Sequence, residues 1–188
     1  MKNFLLSFLL LIVLLPASNL SAQGAENVVL ITFDGLRWQE VFGGIDQNLA
    51  THKNYSPQTE LLMQRFWHSN SNDRAQALLP FIHKTVFSQG VYAGNRHENS
   101  CAAVSNDWYF SYPGYSEILT GVINPNINSN SKVPNTEITF LELLESNSLY
   151  KAQTAAFASW DVFPFIFNVQ RSGVHVNAFS VEANPADA

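Results

Sequence analysis

The segment that most constrains the fold of this chain is residues 27–33, in which apolar residues run without interruption from Val28 to Ile31. A continuous apolar, β-branched run of this length is typical of a strand that is buried on both faces of a parallel sheet. The run ends at Asp34-Gly35, a carboxylate followed by a turn residue. The segment therefore predicts a first strand that delivers an aspartate to the carboxyl edge of a sheet, where α/β proteins place their sites.

The rest of the chain alternates between helix-like and strand-like patterns. Helices are predicted at 36–42 (ended by Gly43-Gly44), at 59–67, at 73–84 with Asp73 as N-cap and a kink at Pro80, at 116–120 (ended by Gly121) and from a capping box at Thr139 through Leu144. Strands are predicted at 85–92 and 152–159, and residues 124–135, rich in Asn, Pro and Ser, are predicted to be a loop. This order indicates an α/β layered sandwich with a mostly parallel central sheet flanked by helices.

The first 22 residues have the pattern of a cleaved signal peptide. Lys2 precedes an apolar run over residues 4–16, and Ala22 is a small residue suited to cleavage. The alternative is a transmembrane anchor, but a spanning helix needs about 20 apolar residues. We therefore expect residues 23–188 to be periplasmic or secreted, with no stable membrane anchor after cleavage.

Composition excludes several classes of protein. Hydrophobic residues make up 46% of the chain and charged residues only 13%, which argues against a disordered protein. Ten basic and 15 acidic residues give a net charge of −5, so we expect no tracking of nucleic acid by charge. Cys101 is the only cysteine, which excludes an internal disulfide.

Two residues are candidates for chemistry, and each has a simpler interpretation. Asp34, at the end of an apolar run, is either a cation ligand or a turn or N-cap aspartate for the next helix. Ser111 stands just before Pro113, where a short helix is expected to start, and is either a nucleophile or an N-cap serine. Spacing alone leaves both alternatives open.

Taken together, residues 28–37 (VVLITFDGLR) and 111–121 (SYPGYSEILTG) resemble the alkaline phosphatase superfamily. They are most similar to its nucleotide pyrophosphatase/phosphodiesterase branch and to bacterial proteins labelled sulfatase-like or phosphoglyceromutase-like. Residues 157–164 and Arg171-Ser172-Gly173 extend the resemblance. It implies an alkaline-phosphatase-like sandwich in which Asp34 and Ser111 bind divalent metal ions, with two ions, expected to be Zn²⁺, in the complete enzyme.

The resemblance also implies an activity. Ser111 would be the nucleophile of a metal-dependent hydrolase that cleaves small-molecule phosphate monoesters or diesters through a covalent phospho-serine. Asn130 would bind a phosphoryl oxygen of the substrate, with Asn128 as the runner-up. Sulfate-ester hydrolysis is disfavoured, because Tyr115 stands where a sulfatase has arginine.

The sequence departs from the superfamily pattern in its metal ligands. The family has further Asp and His ligands, including an Asp-His pair, and no Asp-His dipeptide occurs in this chain. We therefore expect residues 23–188 to be the N-terminal portion of such a catalytic domain, binding zinc weakly and not turning over by themselves. The alternative is an exported non-catalytic binding module, or a degenerate remnant of such an enzyme, with Asp34 and Ser111 as capping residues.

Overall fold

The computed structural model describes residues 25–178, and the chain divides into two units between Phe33 and Asp34. The predicted signal peptide lies outside the described residues. In the first unit, residues 25–33 have no regular secondary structure, and Val28 and Val29 are 85% and 79% exposed. The prediction of a buried strand at 27–33 is therefore wrong. A strand is defined by hydrogen bonds to a neighbouring strand, and the strands among residues 25–178 are those at 155–157 and 175–177.

The first half of the second unit is helical. It contains α1 (Trp38–Gly43), α2 (Gln47–Thr51), α3 (Thr59–Phe66), α4 (Ser71–Leu78), a π-helical turn (Ile82–Val86), α5 (Phe87–Gln89) and a 3₁₀ turn (Arg96–Glu98). The helices predicted at 36–42 and 59–67 are confirmed to within two residues. Gly44, at φ +74°, ends α1 in a conformation that L side chains rarely adopt.

The helix predicted at 73–84 begins earlier and is interrupted. Asn70, not Asp73, is the N-cap of α4, because the Asn70 Oδ1 atom accepts hydrogen bonds from the backbone N–H groups of Asn72 and Asp73. The helix then breaks at Leu79, since a residue that precedes proline is disfavoured in the α conformation. The chain resumes as helix from Pro80.

The strand predicted at 85–92 is also wrong. These residues form part of the π-helical turn and α5. The ring of Phe87 stacks on Phe42 of α1 at a centroid distance of 5.6 Å and lies 4.5 Å from the ring of Tyr92. Of the apolar residues that suggested a strand, Phe87 packs against α1, whereas Val91 is fully exposed.

The second half contains the parallel strands. Its elements are α6 (Ser111–Thr120), α7 (Phe140–Ser146), β1 (Ala155–Phe157), α8 (Phe163–Ile166), α9 (Val169–Ser172) and β2 (His175–Asn177). Strands β1 and β2 pair in parallel, with Ala155 opposite His175, and α8 and α9 form the crossover between them. The strand predicted at 152–159 is thus confirmed at its centre. Within residues 25–178 the protein is a mixed helical fold with this small parallel sheet.

The main hydrophobic core positions α6. Tyr112 and Leu119 of α6 pack with Val162, Ile166 and Phe167 at the crossover. Tyr112 and Leu119 lie seven positions apart on one face of the helix, which is the spacing of a buried stripe. The core therefore fixes the rotation of α6 and the direction in which its first residue is presented.

Candidate functional site

Ser111 is the first residue of α6. Phe110 before it is extended (φ −127°, ψ 148°) and, as N-cap, supplies no side-chain hydrogen bond. Pro113 is accepted in the first turn because backbone N–H groups there have no partner within the helix. The Ser111 side chain is half-buried, and its hydroxyl makes no hydrogen bond within the described part of the chain. The hydroxyl therefore does not cap the helix, which removes the simpler interpretation of this serine.

Asn130 lies at the same end of α6. Its Oδ1 atom accepts a hydrogen bond of 3.0 Å from the backbone N–H of Tyr112, the residue that follows Ser111. This contact fixes the orientation of the amide, because only the oxygen can accept from an N–H group. The Nδ2 group of Asn130 has no acceptor among residues 25–178, and the residue is exposed. Asn130 thus brings an unused hydrogen-bond donor to the start of the Ser111 helix.

The structure separates Asn130 from the runner-up, Asn128. The Nδ2 group of Asn128 donates to the Pro125 carbonyl at 3.4 Å, within its own turn. Asn128 is exposed, and no described hydrogen bond joins it to α6. Of the two candidate asparagines, only Asn130 makes a described hydrogen bond to the residue next to Ser111.

Asp34 occupies an exposed turn with Gly35, whose φ is +74°. It is not an N-cap, because α1 begins after Arg37. No hydrogen bond in the described residues joins the Asp34 carboxylate to Ser111 or Asn130. The structure therefore agrees with the turn interpretation and does not bring Asp34 to the other two candidates.

The described residues do not fit the implied metal centre. A zinc site takes about four ligands, as a rule from Cys, His and carboxylate side chains. Between residues 25 and 178, no group of three or more His, Cys, Asp or Glu side chains is arranged to hold a metal ion. A hydroxyl and one separate carboxylate are too few ligands to hold a zinc ion.

The approach of the chain to Ser111 is fixed by Glu117 in the second half of α6. Its carboxylate accepts hydrogen bonds from the backbone N–H groups of Ser105 and Asn106, at 2.6 and 3.0 Å, and from the Asn106 side chain at 2.7 Å. These bonds, led by that of the Asn106 side chain, lower the pKa of Glu117. The loop that enters α6 is therefore tied to the helix itself.

The aromatic side chain after the candidate nucleophile is structural. Tyr112 is 2% exposed, and its hydroxyl donates to the carbonyl of Val133 at 2.7 Å and to that of Phe165 at 3.2 Å. Burial raises the pKa of Tyr112 to about 12. The hydroxyl stays protonated at neutral pH and links α6 to the loop that carries Asn130.

Two residues that support this arrangement, Asn135 and Arg171, were not identified as candidates from the sequence. Asn135 stands at the end of the predicted loop, and Arg171 entered only through the resemblance. Asn135 is fully buried, and Arg171 bonds its carbonyl. A Pro-Asn pair before a helix cap was the only local signal, and it is common in ordinary turns.

Comparison with known protein families, with curated proteins and with solved structures gives no match for this chain. No helix between residues 25 and 178 is long and apolar enough to cross a membrane. The functional assignment therefore depends on the sequence motifs and on the geometry at the start of α6.

Proposed function

We propose that this chain carries the nucleophile and a phosphoryl-binding group of a hydrolase of phosphate esters, with Ser111 as nucleophile and Asn130 as the binding group. The observation that carries the proposal is the hydrogen bond from the Tyr112 N–H to Asn130, which puts two residues of the resemblance at one helix N-terminus. Backbone N–H groups and the helix dipole favour a negatively charged ligand at such an end. The alkaline-phosphatase-like sandwich and the exported location are parts of the same proposal.

The reaction proposed for these residues has two steps. The Ser111 oxygen bonds to phosphorus while the bond from phosphorus to the leaving alcohol breaks, and the serine proton leaves with that alcohol. Water then cleaves the bond between the Ser111 oxygen and phosphorus and restores the hydroxyl. It releases inorganic phosphate when the substrate is a monoester and a phosphate monoester when the substrate is a diester. The resemblance assigns activation of the hydroxyl to divalent metal ions, for which the described residues hold only Asp34 as a carboxylate candidate.

The Asn130 amide has a defined part in both steps. Its Oδ1 atom is held by the Tyr112 N–H, so its Nδ2 group is the part of the side chain left to donate. A donor held in place before the substrate binds stabilises the negative charge of the transition state without reorganisation. The Ser111 N–H is a second donor at this helix end, because it has no acceptor among the described hydrogen bonds.

The test is to trap the phospho-serine on the full-length protein. The protein is incubated with Zn²⁺ and either p-nitrophenyl phosphate or bis(p-nitrophenyl) phosphate, quenched with acid and digested. We expect mass spectrometry to place on Ser111 one phosphoryl group from the monoester or one p-nitrophenyl phosphoryl group from the diester. Both the label and turnover should be absent in Ser111→Ala. Ser146→Ala removes an exposed hydroxyl that, within residues 25–178, is bonded only to the Leu143 carbonyl. This variant is the matched control and should keep both the label and turnover. Turnover that survives in Ser111→Ala would refute the proposal.

Two observations favour a second candidate, a non-catalytic exported binding module. The exposed Asp34 is joined by no described hydrogen bond to the start of α6, and no metal-binding cluster is present in the described residues. This candidate predicts that Asp34→Ala and Ser111→Ala leave every ligand response unchanged and that Zn²⁺ does not shift the melting temperature. The phospho-serine trap separates the two, since only the hydrolase forms a covalent adduct.

A further inference from the structure

We infer that Asn135 and Arg171 are positioning residues for the phosphoryl site, because they hold the segment carrying Asn130 against the N-terminus of α6. The inference rests on the proposed function and deepens it. It concerns residues that do not touch the substrate and act only through Asn130.

Asn135 ties its segment to α6 and to the crossover helices. Its side chain donates to the Ser116 hydroxyl at 3.1 Å and accepts from the Glu137 N–H at 2.8 Å. Its backbone N–H donates to the Phe165 carbonyl at 2.9 Å, and its own carbonyl accepts from the Asn168 side chain at 2.9 Å. Every polar group of this fully buried residue is therefore bonded.

Arg171 closes the same connection from α9. Its guanidinium donates to the carbonyls of Asn135, Thr136 and Glu137 at 3.0, 3.1 and 2.8 Å. It also makes a two-pronged pair with Glu142 of α7, at 2.7 and 2.8 Å. These bonds use all five N–H groups of the arginine. Lysine, with three donors on one atom, has no means of making them together.

Three hydrogen bonds fix the segment between residues 130 and 135 to α6. The Asn130 side chain accepts from the Tyr112 N–H, and the Val133 carbonyl accepts from the Tyr112 hydroxyl. The Asn135 side chain donates to the Ser116 hydroxyl, one turn further along the helix. A short segment fixed at both ends has little freedom between them. A shift of residue 135 therefore moves Asn130 relative to Ser111.

The inference is tested by a double-mutant cycle in the full-length protein, with p-nitrophenyl phosphate as substrate. Arg171→Lys is expected to lower kcat about 10-fold with little change in KM, the size of effect seen when a supporting residue is lost. In an Asn130→Ala background the same substitution should change kcat less than about 2-fold, because its target is already gone. Glu145→Gln, a carboxylate on α7 that bonds Ala152 and Thr154 instead, is the control and should leave kcat unchanged in both backgrounds.

The possible outcomes separate this inference from the proposed function. If Arg171→Lys lowers kcat equally in both backgrounds, the positioning role is overturned while a Ser111-dependent hydrolase stands. If no Ser111-dependent turnover exists, the proposed function falls, and hydrogen exchange of the Tyr112 amide decides whether Arg171 holds the segment. Exchange about 10-fold faster in Arg171→Lys than in Glu145→Gln supports the positioning, and equal exchange overturns it. Should Arg171→Lys fail to fold, Glu142→Gln takes its place with the same expected outcomes, because it removes the charged anchor that holds the guanidinium against the three carbonyls.

Discussion

Replacing Asn135 by alanine is expected to be among the most destabilising single changes in the described part of the chain. The side chain is fully buried and makes two hydrogen bonds, to Ser116 and from the Glu137 N–H. The bond to Ser116 joins two segments that are distant along the chain, and the bond from Glu137 holds the turn before α7. Asn135→Ala removes them together.

The expected cost follows from the state of each partner. Loss of two hydrogen bonds costs about 2 kcal/mol, since each contributes about 1 kcal/mol net. The Ser116 hydroxyl, 3% exposed, loses its partner away from water, which adds about 1 kcal/mol. The Glu137 N–H is only partly buried and can bond water. The free energy of unfolding should therefore fall by about 3 kcal/mol.

The double variant makes this reasoning refutable. Ser116→Ala alone leaves the Asn135 Nδ2 group without its acceptor and should cost about 2 kcal/mol. Asn135→Ala with Ser116→Ala should cost about 2 kcal/mol rather than the sum of about 5, because the bond between the two side chains is then lost only once and neither orphaned group remains. Urea unfolding followed by tryptophan fluorescence measures these values, with Asn126→Ala, an exposed asparagine of the same loop, expected to stay within about 0.5 kcal/mol of the parent. A strictly additive double variant would show that the two side chains do not interact as described.

Two further predictions concern the acid limb of stability and the glycines that end helices. The pKa of Glu117 is lowered in the fold, so the stabilisation by its carboxylate is present above the unfolded pKa and is lost as pH falls through the folded pKa. In Glu117→Gln, the free energy of unfolding should therefore fall less steeply between about pH 5 and pH 3 than in the parent. Urea unfolding at several pH values measures this dependence, and the same dependence in both proteins would contradict the prediction. Gly44→Ala should cost more than about 3 kcal/mol and Gly121→Ala about 1 kcal/mol. Both glycines have positive φ, but a Cβ at Gly44 would lie 2.3 Å from the Arg74 backbone, whereas one at Gly121 meets nothing within 4 Å. Equal melting temperatures for the two variants would exclude the steric part of this account.

The helix ends that the sequence predicted well are those with local signals, although α6 begins at Ser111, five residues before the start predicted at 116. Gly121 ends α6 in the left-handed conformation, and Thr139 caps α7 by accepting from the Glu142 N–H at 3.2 Å. Such signals act over three or four residues and need no knowledge of the rest of the fold. The segments at 27–33 and 85–92 failed because an apolar run states a preference for burial, while a strand also needs a partner supplied by distant residues.

The candidate site was predictable only where a motif marks it. Ser111 and Asn130 were identified from the resemblance, and the structure joins Asn130 to the residue beside Ser111. Asp34 was also identified from a motif, but the structure leaves it in an exposed turn. The contacts of Arg171 with Asn135 and Thr136 cross more than 30 positions of sequence, so no local pattern indicates them.

Glu142 shows how a local signal and a distant contact compete for the same side chain. A complete capping box would return its carboxylate to the Thr139 N–H. The carboxylate instead takes the two-pronged bond from Arg171, while the Thr139 hydroxyl still accepts from the Glu142 N–H. A charge-assisted pair with a guanidinium is stronger than one bond from a neutral N–H. The capping box of α7 therefore keeps the bond to the Thr139 hydroxyl and lacks the return bond from the Glu142 carboxylate. The Glu142 carboxylate anchors Arg171 instead, and the remaining donors of Arg171 bind the carbonyls of residues 135–137, next to the segment that carries Asn130. Glu142, which the sequence marks as part of a helix cap, thus also supports the proposed positioning of Asn130 through Arg171.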